Sequence, residues 1–515
     1  MRKKFQKWMA LALGVFFLTS CTPTKTDSSN SQQVEGNLYN FEQIYRGGKS
    51  YTLEHNEEVE ISLSCDIGKK NYLKIDLYTN MNLVGYIYYE HHTDATTNNK
   101  EKIYIEKGAT EFATFLDAYR VGAKAPYKKK LTKIVLQNVE KETGQVLINS
   151  VEISDRTYDR TEELYIDDGS LKMGTALLHG GAIRHIEKLN AGVVEYIDQN
   201  GNVCINPNVD SDGVELISEE VNLVNIHDLG REIQQSYYSL AGKENGYDPT
   251  EEVWYDGTLR YNPVQAGSAG DKESQIIDYE VTDGEIYVKV KPLEWFFHNT
   301  LSDSYMENRY YFNGKGVLIA YNRFVNFSQF TNLENVAIAS QEMPAVYIAQ
   351  PLNYFYCETV DGNIKDSNLS PLPTSDAKHG LFDGKTSNYH YSLDEKKVPG
   401  DWLAFVNEQS FGLGMYMPQA DYYAASRGVT STSYERLENH ISASWQGNGK
   451  YIPSAYVTNY NYFTSGIFAN MLDFVPIEYE YAVYVGTVWD MREEFSSLQE
   501  RNVIDNAGLT AWQKG

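Results

Sequence analysis

The segment NIHDLGREIQQSYYS, residues 225–239, gathers more hydrogen-bonding groups than a β-rich chain ordinarily places together. His227, Asp228, Arg231, Glu232, Gln234 and Gln235 lie within it, and Tyr237 and Tyr238 follow. Gly230 lets the chain bend, or lets a ligand approach the backbone. Arg231 offers a planar fork of donors suited to a carboxylate or to vicinal hydroxyls. Gln235 adds an amide that donates and accepts, and Tyr238 can stack on a ring or cap it. Such a set would satisfy a polyhydroxylated ligand in a concave, partly dry site. The same groups would also serve as a buried hydrogen-bond network between two sheets. A helix over 228–238 and a loop followed by a strand fit the pattern equally.

Further along, YNPVQAGSAGD (261–271) is a shaped loop whose polar groups are Gln265 and Asp271, with Trp254 and Tyr255 ahead of it as a flat platform. Loops of this composition often line sites. Gln265 joins Arg231 and Gln235 as a group that would orient a sugar, with His227, Tyr238 and Trp254 completing the binding set.

Glycoside hydrolysis needs two carboxyl groups flanking the bond, one of them held protonated by burial. Candidates must therefore sit in apolar or aromatic strands. Glu342 in SQEMPAVYIAQPL and Glu307 in SYMENRYYF come first, then Asp228 beside Arg231 and His227; Glu408 in DWLAFVNEQSFGLG is a further case. A lyase would instead use a Tyr or His base, with Arg231 neutralising a uronate carboxylate. His227 and Tyr237 could fill that role.

NVDSDGVELISE (208–219) places Asn208, Asp210, Asp212, Gly213 and Glu219 at positions 1, 3, 5, 6 and 12 of a calcium-loop pattern. Calcium is the ion such a loop would take, and an acidic hairpin turn is the alternative. No other cofactor is expected. The ten histidines form no HxxxH or HExxH pair, which argues against zinc.

The elements that must position these groups read as strands. Between residues 37 and 157, EEVEISLSC, YLKIDLYT, VGYIYYE, EKIYIE, LTKIVLQNV and GQVLINSVEIS alternate or are aromatic-rich, with turn residues between them. They predict a jelly-roll-like β-sandwich with a carbohydrate-binding texture. From 158 to 515 the strands lengthen, as in EIYVKVKPLEW, GVLIAYNRFVNF and EYEYAVYVGTV. Asn200-Gly201 marks a hairpin. One helix is predicted near the end, over WDMREEFSSLQERN, with Thr487 as cap and Asp490 three residues on. The expected fold is all-β: a sandwich, then a large antiparallel supersandwich with a short C-terminal helix.

HGGAIRHIE, NLVNIHDLGREIQQSYY and the long aromatic strands together resemble the galactose mutarotase-like supersandwich, carried by Gly181-Ala182 and Gly230-Arg231 and covering about residues 160–490 by pattern. That fold is shared by aldose epimerases and by carbohydrate-active hydrolases and lyases. The resemblance implies a carbohydrate substrate and a catalytic supersandwich.

The chain opens MRKKFQKWMALALGVFFLTSC, four cations before an apolar run too short to span a membrane. Leu18-Thr19-Ser20-Cys21 resembles the bacterial lipobox, which implies a signal peptide at 1–20, lipidation at Cys21 and a polar tether over 21–36. The body is then expected outside the cytoplasmic membrane, lipid-anchored to a bacterial membrane. The formal charge of −25 becomes about −29 once those four cations are removed. Such a surface argues against nucleic acid and against non-specific binding of large polyanions. Cys65, Cys204 and Cys357 are far apart and odd in number, and read as small buried apolar residues.

The sequence thus points to a surface-anchored carbohydrate-active enzyme. A glycoside hydrolase with paired carboxylates, acting on an oligo- or polysaccharide, is the leading reading. A polysaccharide lyase on the same fold and a non-catalytic glycan-binding lipoprotein are the alternatives.

Overall fold

Glu58–Asp66 shows the governing rule in its simplest form: Val59, Ile61, Leu63 and Cys65 are buried, and the residues between them are exposed. Successive side chains of a strand point to opposite faces, so an alternating sequence buries one face and wets the other. The computed structural model describes residues 39–91, 100–117, 128–189, 196–197, 203–204, 222–224, 232–237, 261–268, 272–295, 300–314, 316–329, 339–349, 354–357, 389–394, 402–406, 411–416, 438–443, 460–469 and 473–501. Within them the protein is all-β with one α-helix, Val488–Arg501, near the C-terminus and a single 3-10 turn, Leu177–His179.

The N-terminal strands form two four-stranded antiparallel sheets. One runs in the order Phe41–Leu53, Gly144–Ser154, Tyr72–Thr79, Glu111–Phe115; the other runs Glu58–Asp66, Lys128–Asn138, Leu83–His91, Lys100–Ile105. Their facing sides supply Ile61, Ile75, Leu83, Ile87, Ile134, Leu136 and Ile148 to one core. Burying such a side chain contributes about 1.5–3 kcal/mol.

Two larger sheets follow. The first, here the front sheet, has the order Leu293–Glu294, Pro263–Val264, Ile233–Ser236, Ile183–Lys188, Leu171–Ala176, Glu163–Asp167. Ala339–Ala349 also pairs with Ile233–Ser236 and carries Tyr460–Ala469 beyond it. The back sheet runs Gln275–Val281, Glu285–Lys291, Ser304–Phe312, Val317–Asn326, Ile477–Thr487, Phe411–Tyr416, Trp402–Val406, Tyr354–Cys357. Between the two sheets lie Leu171, Met173, Ile183 and Ile233 from the front and Val288, Met306, Leu318, Phe324 and Tyr481 from the back. The helix covers the other side of the back sheet, packing Val488, Met491, Phe495 and Leu498 against Val317, Ile319, Trp402 and Tyr416. Thr487 and Asp490 cap it reciprocally. The Thr487 hydroxyl donates to Asp490 Oδ2 at 2.7 Å, and the Asp490 amide donates back to that hydroxyl at 3.2 Å. The predicted hairpin is present as Tyr196–Ile197 paired with Val203–Cys204.

The described residues, all from Tyr39 onward, fall in one compact unit. The core of the N-terminal sandwich takes in Ile277, Tyr305, Val325 and Phe327 from the back sheet. Tyr104 stacks on Phe327 with ring centroids 5.6 Å apart. Charged groups cross the same seam. Lys102 pairs with Asp303 at 3.1 Å and Arg323 with Glu106 at 2.6 Å, and Gln275 donates to Glu101 at 2.8 Å. Cys65 is buried as a small apolar residue, as its sequence context suggests. No helix among the described residues is long and apolar enough to cross a membrane.

Candidate functional site

The strand Ile233–Ser236 at the centre of the front sheet divides the polar segment between two faces. Ile233, Gln235 and Tyr237 point inward. Ile233 joins the core, and the Tyr237 ring stacks on Phe324 of the back sheet at 4.0 Å. Gln235 donates from Nε2 to the Glu307 carbonyl at 2.9 Å and to Asn308 Oδ1 at 3.1 Å, and its Oε1 accepts from the Tyr237 hydroxyl at 2.8 Å. Gln265 Oε1 accepts from the Gln235 backbone N–H at 3.0 Å, and its Nε2 donates to the Gly180 carbonyl at 3.0 Å. Both side chains are fully buried. Gln235 and Gln265, expected to orient a sugar, spend their amides on the protein's own groups. Tyr237 is likewise sealed and cannot act as a solvent-facing base.

Glu232, Gln234 and Ser236 take the alternate, outer face. Opposite Ser236 in register lies Glu342, half-buried on the strand Ala339–Ala349, so it shares that face. Asn262 Nδ2 reaches the Tyr237 carbonyl at 2.8 Å and Ser236 Oγ at 3.4 Å, and the Asn262 amide donates to Glu294 Oε2 at 2.8 Å.

His179 completes the group. Its place follows from the turn behind it. Gly180 has φ +58°, the left-handed region, and its backbone presses on Gln265: an added Cβ would lie 2.1 Å from the Gln265 carbonyl oxygen. Gly181, at φ +74°, sits against Val288, and its carbonyl accepts from the Tyr310 hydroxyl at 2.9 Å. This bend brings His179 Nδ1 into hydrogen-bond contact with Glu232 Oε1. Glu232 is fully buried and His179 is 6% exposed. The second carboxylate oxygen, Glu232 Oε2, is buried without a partner. Leaving a buried polar oxygen unsatisfied is expensive, and native proteins keep few such atoms. The imidazole's Nε2 has no hydrogen bond among the described residues. A histidine held at one nitrogen by a buried carboxylate is an arrangement suited to moving a proton.

Glu307 is placed otherwise. It lies on the outward side of the back sheet, because its neighbour Asn308 points inward to Gln235. Arg323 pairs with it at 2.9 Å, Lys289 at 3.8 Å, and the Tyr287 hydroxyl donates to it at 2.8 Å. Burial pushes this carboxyl up, but Lys289, Arg323 and the Tyr287 hydrogen bond outweigh it and bring the pKa to about 2. Glu307 is thus an ionised partner in an ion-pair lattice rather than a protonated acid. Glu342 and Glu307 project from opposite sides of a two-sheet sandwich and do not flank a common bond.

His227, Asp228, Arg231, Tyr238, Trp254, Glu408, the loop residues Asn208, Asp210, Asp212 and Glu219, and Cys21 lie outside the described residues. Among the described residues no cluster of His, Cys, Asp and Glu could hold a metal ion. The sequence reading missed His179, which sits in an apolar run before two glycines, and left Glu232 without a role. HGG beside a strand-edge bend is the signal that could have found the first.

No family model matches the sequence, and no curated protein matches it either. Solved structures do. A galactose mutarotase related enzyme from Lactobacillus acidophilus is 11% identical with a TM-score of 0.32, over 63% of this chain and 97% of that one. An aldose epimerase homologue from C. elegans is 11% identical with a TM-score of 0.34, over 64% and 100%. The glycoside hydrolase domain of Endo-D from Streptococcus pneumoniae is 9% identical with a TM-score of 0.15, over 48% and 31%. At these identities and TM-scores no residue role is carried over from any of them.

Proposed function

We propose that the chain is a carbohydrate-active enzyme and that the His179–Glu232 dyad is its proton-transfer group. The observation that carries this is the fully buried Glu232 carboxylate, one oxygen on the imidazole and the other unpartnered. On the same face Gln234 and Ser236 are buried, Gln234 Oε1 accepting from the Ala266 amide at 3.1 Å and Ser236 Oγ meeting Asn262, and the half-buried Glu342 supplies a carboxyl group of the kind that sugar hydroxyls meet. The formal charge of −25 favours a substrate without dense negative charge.

Hydrolysis is the reaction the face serves best. Glu232 and Ser236 lie four residues apart, about 13 Å along a strand, and Glu342 is opposite Ser236. His179, supported by Glu232, would protonate the leaving glycosidic oxygen as the bond to the anomeric carbon breaks. Glu342 would take a proton from the water that attacks that carbon from the opposite side. We further propose that the body is held outside the cytoplasmic membrane by lipid on Cys21; Cys21→Ser should then release it from the membrane fraction.

The test is a product screen on neutral oligosaccharides and on polyuronates. New reducing ends, abolished in His179→Ala and Glu342→Gln, support the hydrolase. A rise in ultraviolet absorbance from an unsaturated uronide would replace it with a lyase. Binding that neither variant alters, without turnover, would leave a glycan-binding protein.

A further inference from the structure

The outer face of the front sheet continues past the dyad to the strand Glu163–Asp167. Leu164, Ile166, Met173, Ile183, Ile186 and Ile233 all point into the core, so the residues alternating with them share the side that carries Glu232. On that side Tyr165, Gly174 and His185 stand in one row across three strands. Gly174 has a specific use there. A Cβ on it would lie 2.4 Å from Tyr165 Cε1 and 2.6 Å from Cδ1, so the ring lies directly on the glycine backbone. The ring nonetheless stays 40% exposed, one of the few large apolar groups to do so among the described residues. His185 abuts its edge at 5.6 Å, with the planes at 83°.

We infer that Tyr165, seated on Gly174, is a stacking platform for the distal part of a neutral glycan whose reacting bond lies at the dyad, so that the substrate is an oligosaccharide rather than a single sugar. The inference rests on the function proposed above. Three strand spacings, about 14 Å, separate the strand of Glu232 from that of Tyr165. A single pyranose does not cover that span and a chain of several does.

Charge on this face argues for a neutral ligand. Arg184 pairs with Glu163, and His185 Nε2 meets Glu187 at 3.1 Å. Burial holds the His185 imidazole below its ordinary pKa, against the pull of Glu187. Lys172, whose ammonium lies 4.5 Å from the Tyr165 centroid, stands opposite Asp167 in register. The charges therefore offset one another locally. A lysine over an exposed ring is held by about 0.5–1 kcal/mol, weakly enough for a sugar to displace the stem while its ammonium meets a hydroxyl.

The test is calorimetric titration of the full chain with short and long members of gluco-, galacto-, manno- and xylo-oligosaccharide ladders. Tyr165→Leu covers the glycine but lacks the flat ring; Tyr165→Ala removes both, and Tyr165→Phe keeps the ring. For a ladder that binds, Tyr165→Leu and Tyr165→Ala should weaken the long member about tenfold and leave the short one unchanged, with Tyr165→Phe close to wild type. Unchanged affinity for long members in folded Tyr165→Leu overturns the platform, as does equal weakening of short and long. Failure of every ladder to bind wild type overturns it as well. Binding without turnover, lost in Tyr165→Leu, keeps the platform and overturns the catalytic reading alone.

Discussion

The Gly180 backbone lies so close to Gln265 that a single added methyl group would fall 2.1 Å from the Gln265 carbonyl oxygen. That contact joins the bend before Ile183–Lys188 to the chain leaving Pro263–Val264. It also fixes the direction in which His179 leaves the turn.

Gly180→Ala should therefore harm stability and site together. A non-glycine residue at φ +58° costs about 1–2 kcal/mol, and the backbone clash adds to it. A loss of about 2–4 kcal/mol is expected in urea unfolding, with activity falling further than the folded fraction. Wild-type stability in Gly180→Ala would show that the turn is not held against Gln265.

Glu307 should control acid stability rather than turnover. Its pKa falls from the ordinary 4.5 to about 2 in the folded state. A depressed carboxyl stabilises above its unfolded pKa, and that contribution is lost as the pH falls from about 4.5 towards 2. The shift corresponds to about 3 kcal/mol. Glu307→Gln should flatten the acid limb of the stability curve and destabilise the protein at neutral pH by a similar amount, since Lys289 loses its carboxylate and Arg323, which keeps Glu106 and Glu478, loses one of its own. Turnover per folded molecule should stay at the wild-type level. Equilibrium unfolding across pH, alongside activity assays, separates the two roles.

The two sandwiches should unfold as one. Phe327, fully buried, packs against Tyr104 of the N-terminal sandwich and Tyr305 of the back sheet. Phe327→Ala should cost about 3–5 kcal/mol and lower a single calorimetric transition. Two separable transitions in the wild-type chain would mean that the seam contributes little coupling.

Much of this architecture is legible in the residues. EVEISLSC alternates as its buried face requires, Asn200-Gly201 lies between the strands of a hairpin, and Thr487 with Asp490 caps the helix. The polar segment was legible only as a concentration of hydrogen-bonding groups. Which of its residues face inward depends on the partner sheet, and Gln235 points to Asn308, 73 positions away. Glu307 and Glu342 both stand in aromatic strands, yet topology puts them in different sheets, which local sequence does not encode. His179 and Glu232 are 53 positions apart and meet only because a glycine bend turns one toward the other.

The central claim is that Glu232 acts through His179, and the ratio of kcat in Glu232→Gln to wild type, on whichever glycan is turned over, tests it most directly. Glutamine keeps the shape but cannot stabilise an imidazolium. The expected result is a fall in kcat of about 10²–10⁴-fold with a shifted pH–rate profile, while Glu307→Gln, assayed beside it, keeps its rate. A Glu232→Gln protein that is folded and turns over at the wild-type rate, with an unaltered pH profile, would contradict the assignment.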